Sequence, residues 1–256
     1  MTRKYGKKWK GKYMRKKKYR LAPRMINGFP PQARVRLKYA QIIEVNPGTN
    51  QMVTRPFRAN SIRDPDALTG GHVPANAYRF WAGYKKCTVT SARFKVTPIQ
   101  KSAQTQSMIA GILLGSNTLE IQTLYQAGGV PAILEQPYST QRQLTYGTLQ
   151  GSQVAPRPMR QKVNNARFFD RPYAALINSE EFSHGVLDLP DTENYFIFWA
   201  SSIDGNNPGA VTFMVEIVYS CAFSEPLAST YSNNPNATAN IEGHENVHHI
   251  EPISSV

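Results

Sequence analysis

The sequence has almost no cysteine, no long apolar run, and no acidic side chain in its first 24 residues. Cys87 and Cys221 are its only cysteines. Both sit in strand-like apolar stretches, so they read as buried thiols rather than a disulfide framework, which a body of this size does not need. No segment approaches the roughly 18 apolar residues that cross a bilayer, and no membrane partner is expected. The basic N-terminus runs into Ala22, Pro23 and Arg24 instead of an apolar core, which does not fit a secretory signal and places the expected site of action in the cytosol or nucleus. No Ser/His/Asp set, Gly-rich phosphate loop or Cys/His cluster is present, so no enzyme, metal or cofactor is expected.

What is abundant is positive charge, and it is concentrated. Arg3, Lys4, Lys7, Lys8, Lys10, Lys12, Arg15, Lys16, Lys17, Lys18, Arg20 and Arg24 are 12 of the 30 Lys and Arg, leaving 18 against 17 Asp and Glu in the remainder, a net charge of +1 beside the whole chain's +13. A basic arm on a near-neutral body is a separate polyelectrolyte device. Like-charge repulsion and scarce aliphatic residues predict that residues 1–24 are disordered. Phosphate contacts along such an arm release counterions and bind without sequence preference. Tyr5, Trp9, Tyr13 and Tyr19, interleaved with the cations, are candidate base-stacking residues that favour single strands. Lys7-Lys8 with Arg15-Lys16-Lys17-Lys18 also fits a nuclear-import signal.

The body, residues 25–225, reads as strands joined by long loops. Gly28, Pro30 and Pro31 mark the hinge. Val35, Leu37 and Tyr39 alternate with Arg34, Arg36 and Lys38, and Ala92, Phe94 and Val96 alternate with Arg93 and Lys95, which predicts two strands with one apolar and one basic face. The basic faces are candidates for a surface near nucleic acid; the other reading is a solvated strand face that discourages edge aggregation. Met52, Val53 and Phe57 suggest a second extended segment, Tyr78 to Tyr84 a short helical turn, and Met108 to Leu114 a buried strand. From Gln122 to Arg171 no helical period persists, and long loops are expected with short strands near Val154 and over Lys162 to Phe168. Tyr195 to Ala200 and Val211 to Phe223, separated by Asp204-Gly205-Asn206-Asn207-Pro208-Gly209, predict an antiparallel hairpin. The pattern is all-β, an antiparallel sandwich of the jelly-roll or immunoglobulin type, with loops long for the latter.

Residues 226–256 form a polar tail. His244-Glu245-Asn246-Val247-His248 matches a zinc-protease pattern, but Gly243 and Pro252 flank it closely, which opposes the helix that the chemistry requires. Asn236-Ala237-Thr238 fits a glycosylation acceptor that a chain without a secretory signal does not use.

The order of these parts resembles the capsid proteins of circovirus-like, circular single-stranded DNA viruses. The resemblance rests on the basic, tyrosine-containing N-terminus, the Val35 to Val45 strand, Phe80-Trp81-Ala82-Gly83-Tyr84-Lys85-Lys86 leading into Thr88-Val89-Thr90-Ser91-Ala92-Arg93-Phe94-Lys95-Val96, and Ile217-Val218-Tyr219-Ser220-Cys221-Ala222-Phe223 before the tail. It spans residue 1 to about 225. It implies an eight-stranded antiparallel jelly roll, self-assembly into a sixty-copy T=1 icosahedral shell, packaging of single-stranded DNA rather than RNA, contact with host nuclear-import machinery, and residence in the virion and, during assembly, the nucleus. The receptor is not implied. The lysine-rich arm and the histidine-containing tail depart from the family pattern; lysine keeps the charge but not the bidentate phosphate fork. Loops Asp64 to Trp81 and Gln122 to Arg171 are the expected subunit contacts. A small RNA virus capsid, or a cellular nucleic-acid-binding protein with a basic extension, would share the arm.

Overall fold

The computed structural model describes residues 29–69, 72–101, 107–144, 157–203 and 205–227. The expected arm with its candidate contacts, the Val154 strand, the zinc-like motif and the acceptor site therefore lie outside the described residues. Among the described residues nine strands and four helices follow one another: β1 (Gln32–Val45), β2 (Met52–Arg58), α1 (Ala77–Trp81), β3 (Tyr84–Lys101), β4 (Met108–Gly115), α2 (Glu120–Leu134), β5 (Ser139–Leu144), β6 (Met159–Asn164), α3 (Asn165–Phe168), α4 (Tyr173–Asn178), β7 (Ser183–His184), β8 (Tyr195–Ser202) and β9 (Val211–Pro226).

The strands form two antiparallel sheets, ordered β1-β9-β3-β6 and β2-β8-β4-β5, with the two-residue β7 added beside β3. Apart from β4 and β5, consecutive long strands lie in opposite sheets. Eight long strands wound this way make the double-sheet jelly roll.

The alternation in β1, β3 and β9 drives this arrangement. Leu37 and Tyr39, Phe94 and Val96, and Val211 through Phe223 at every second position are buried between the sheets. Against them pack Phe57, Phe196, Phe198, Met108, Ala110 and Ile112 of the second sheet. Aromatic pairs bridge the layers, with Phe94 stacked on Phe196 at 5.1 Å and Phe198 edge-on to Phe213 at 4.9 Å between ring centroids. Cys87 and Cys221 are buried free thiols within this core.

Three expectations are corrected. The β8 and β9 segments are not a hairpin: β9 pairs on both edges with β1 and β3, while β8 pairs with β2 and β4. With both edges of β9 occupied, β8 faces it across the core, and the connection turns through positive φ at Gly205 and Gly209. The Gln122 to Arg171 region is not all loop, because α2 occupies Glu120–Leu134. Gly128, Gly129 (φ 67) and Pro131 break α2 internally, which erased the helical period. The expected Lys162 to Phe168 strand instead stops at Asn164, whose side chain accepts a 3.2 Å hydrogen bond from Arg167 N–H and starts α3.

Helix α2 lies on the outer face of the second sheet. Ile121 and Ile133 pack with Leu113, Ile197 and Trp199. This explains the unbroken apolar runs of β4 and β8, which are covered on both faces.

Candidate nucleic-acid interface

The outer face of the β1-β9-β3-β6 sheet bears the predicted basic residues. Strand alternation sends Arg34, Arg36 and Lys38 outward from β1, and Arg93 and Lys95 outward from β3. Register then aligns them. Lys38 and Arg93 both lie opposite Val218, and Arg93 lies opposite Lys162; in the next row Lys95 faces both Glu216 and Arg160. Arg160 and Lys162 were missed because Gln161 breaks the apolar alternation in Met159-Arg160-Gln161-Lys162-Val163. The outward cation spacing, matching Arg93 and Lys95, was the available signal.

These strands frame a groove of about 580 Å3 lined by Lys38, Arg93, Lys95, Arg160, Lys162 and Glu216. Among the described residues, Glu216 is the sole carboxylate of that lining. Its Oε2 receives Lys95 Nζ at 2.5 Å and its Oε1 pairs with Lys38. Hydrogen bonds from Lys38, then Lys95, hold its carboxyl below the ordinary glutamate value. Arg34 lies over the Tyr173 ring, 5.0 Å from its centroid. No ion pair engages Arg36, Arg93, Arg160 or Lys162 among the described residues.

Lys162 also lines a second cavity of about 310 Å3 with Tyr138, Arg167 and Phe168. The root of β1 is fixed separately: Phe29 packs edge-on to Tyr84 at 5.8 Å, and Tyr84 OH donates to the Pro30 carbonyl at 3.0 Å. The chain before Phe29 thus joins the body at one end of the sheet that bears the basic face.

Elsewhere the ionisable groups serve the fold. Buried Asp66 accepts from Arg55 Nε at 3.0 Å, Thr69 Oγ1 at 2.8 Å and Leu68 N at 3.1 Å. His184 accepts from Ile62 N–H at 3.5 Å through Nε2, leaving Nδ1–H to donate to Gly185 O at 3.0 Å. Burial lowers its pKa to about 4. Among the described residues no group of three or more metal-ligating side chains occurs, and no helix is long and apolar enough to cross a membrane.

No family model and no curated protein matches the sequence. Solved structures do resemble this chain. Mud crab tombus-like virus shows a TM-score of 0.43 at 10% identity, over 81% of this chain and 94% of that one. Desmodium yellow mottle tymovirus shows 0.39 at 11%, over 85% and 100%. The 60-mer BFDV capsid protein shows 0.38 at 12%, over 76% and 94%. The jelly-roll assignment rests on the strand order above, not on these likenesses.

Proposed function

We propose that the chain is the coat protein of a small virus. Residues 25–225 are the shell-forming jelly roll, residues 1–24 the inward arm that neutralises a packaged single-stranded genome, and residues 226–256 a polar tail. The carrying observation is one juxtaposition: 12 cations precede a jelly-roll body whose sequence beyond them has a net charge of only +1. A shell must concentrate polyanion inside without making its own subunits repel one another, and a charged tether on a balanced body does both. Exposed Leu68, Tyr78, Leu119 and Leu187 lie on connections between strands and are assigned to contacts between subunits.

The resemblance to circovirus-like coat proteins supplies the finer reading: a closed sixty-copy T=1 shell, a circular single-stranded DNA genome, and nuclear entry through Lys7-Lys8 and Arg15-Lys16-Lys17-Lys18. The role is structural rather than catalytic. Electron microscopy of purified full-length protein is expected to show uniform closed particles, and sequencing of their nuclease-protected contents to return DNA. A protein that stays monomeric under every assembly condition overturns the reading; protected RNA overturns the genome assignment alone.

A further inference from the structure

We infer that the groove on the outer face of β1, β9, β3 and β6 is a second binding site for single-stranded nucleic acid, with Arg93, Arg160 and Lys162 holding phosphates and Tyr138 receiving a base. The inference rests on the nucleic-acid part of the reading above and adds a site on the folded body to the one assigned to the arm.

The first support is an arrangement that is unfavourable without an anion. Arg93 stands directly opposite Lys162, and Lys95 directly opposite Arg160, on neighbouring strands. Like charges paired across antiparallel strands destabilise a sheet, and two such pairs lie side by side here. The groove's own carboxylate does not relieve them fully, because Glu216 is engaged by Lys38 and Lys95. Glu216 also shows what the face accepts: two oxygens of one anion, each held by a different lysine. A phosphate offers the same chemistry, and Arg93, Arg160 and Lys162 have no such partner among the described residues.

The second support is Tyr138. Tyr138 is 66% exposed immediately before β5, and its φ is 67°. A bulky residue rarely adopts that backbone conformation, and such outliers collect at ligand sites. It lines the cavity that also contains Arg167 and shares Lys162 with the basic groove. Cations therefore lead from the sheet face to an exposed aromatic ring. Stacking of a base on such a ring contributes about 1–3 kcal/mol and needs the base unpaired. A sulfated polysaccharide would satisfy the cations but leave the ring without a flat partner, which favours nucleic acid.

The full-length protein is irradiated with a short oligothymidine carrying 5-iodouracil, and the adducts are mapped by peptide mass spectrometry. Adducts are expected at Tyr138 as well as in residues 1–24. The Arg93→Gln/Lys162→Gln double variant should lower the Tyr138 adduct about five-fold and leave the arm adducts unchanged. Glu216→Gln, which releases Lys38 and Lys95, should raise it; this gain tests the site even if the double variant fails to fold. Arm adducts without a Tyr138 adduct overturn the inference and leave the packaging reading intact. Absence of adducts anywhere overturns both. Labelling of Tyr138 by a sulfated-polysaccharide photoprobe, with no oligothymidine adduct there, assigns the groove to polysaccharide and also overturns the inference.

Discussion

The two sheets of this jelly roll share one core but treat their outer faces in opposite ways. The β2-β8-β4-β5 sheet turns Leu113, Ile197 and Trp199 outward and covers them with α2. The β1-β9-β3-β6 sheet turns Arg36, Lys38, Arg93, Lys95, Arg160 and Lys162 outward and leaves the cationic groove open. Burial energy is thus invested on one side, and charge is reserved on the other. The difference separates what holds the subunit together from what it can offer a polyanion.

The largest expected effect falls on the covered face. Trp199→Ala removes the largest fully buried side chain and should lower unfolding free energy by about 3–5 kcal/mol, read from urea denaturation. Arg93→Ala on the open face should stay within about 0.5 kcal/mol. Comparable losses at both sites would break the contrast.

Acid separates buried from open charge next. His184 has a folded pKa of about 4 against the ordinary 6.5, so the unfolded chain takes up its proton first. Stability should fall as pH drops through 6.5 and level off below about 4, by up to about 3 kcal/mol. His184→Asn should flatten that part of the profile. An unchanged slope would remove His184 from the account.

A smaller effect is expected at Gly111, opposite Trp199 in the sheet. A Cβ there would lie 2.5 Å from Thr140 O and 2.6 Å from the Trp199 ring, so Gly111→Ala should destabilise by about 1–3 kcal/mol. Small too, but opposite in sign, Lys162→Gln relieves a like-charge pair and should stabilise the protein by about 0.2–1 kcal/mol at low salt, with the gain shrinking as salt rises.

The open face was the more legible half in the sequence. Alternation in Val35 to Tyr39, Ala92 to Val96 and Val211 to Phe223 marks strands with one buried side, and the structure keeps all three. Arg160 and Lys162 were obscured by one polar residue on the inward side of a short strand. The covered face was harder to read because β4 and β8 are apolar on both sides, and such runs carry no period. Their cover, α2, is broken by Gly128, Gly129 and Pro131. The pairing of β9 with β1 and β3 joins segments more than a hundred residues apart on the β1 and β3 sides, and no local signal distinguishes that from a hairpin with β8. The arm is read from charge alone, and its residues lie outside the described ones.

The central claim is that a charge-bearing arm and an open basic face serve one packaged polyanion inside a shell. Cryo-electron microscopy of particles assembled from the full-length chain tests it most directly. The account predicts a closed shell whose interior is lined by the Lys38, Arg93 and Lys162 face, with nucleic-acid density against it. A shell carrying that face on its exterior, or a protein that never assembles, would contradict it.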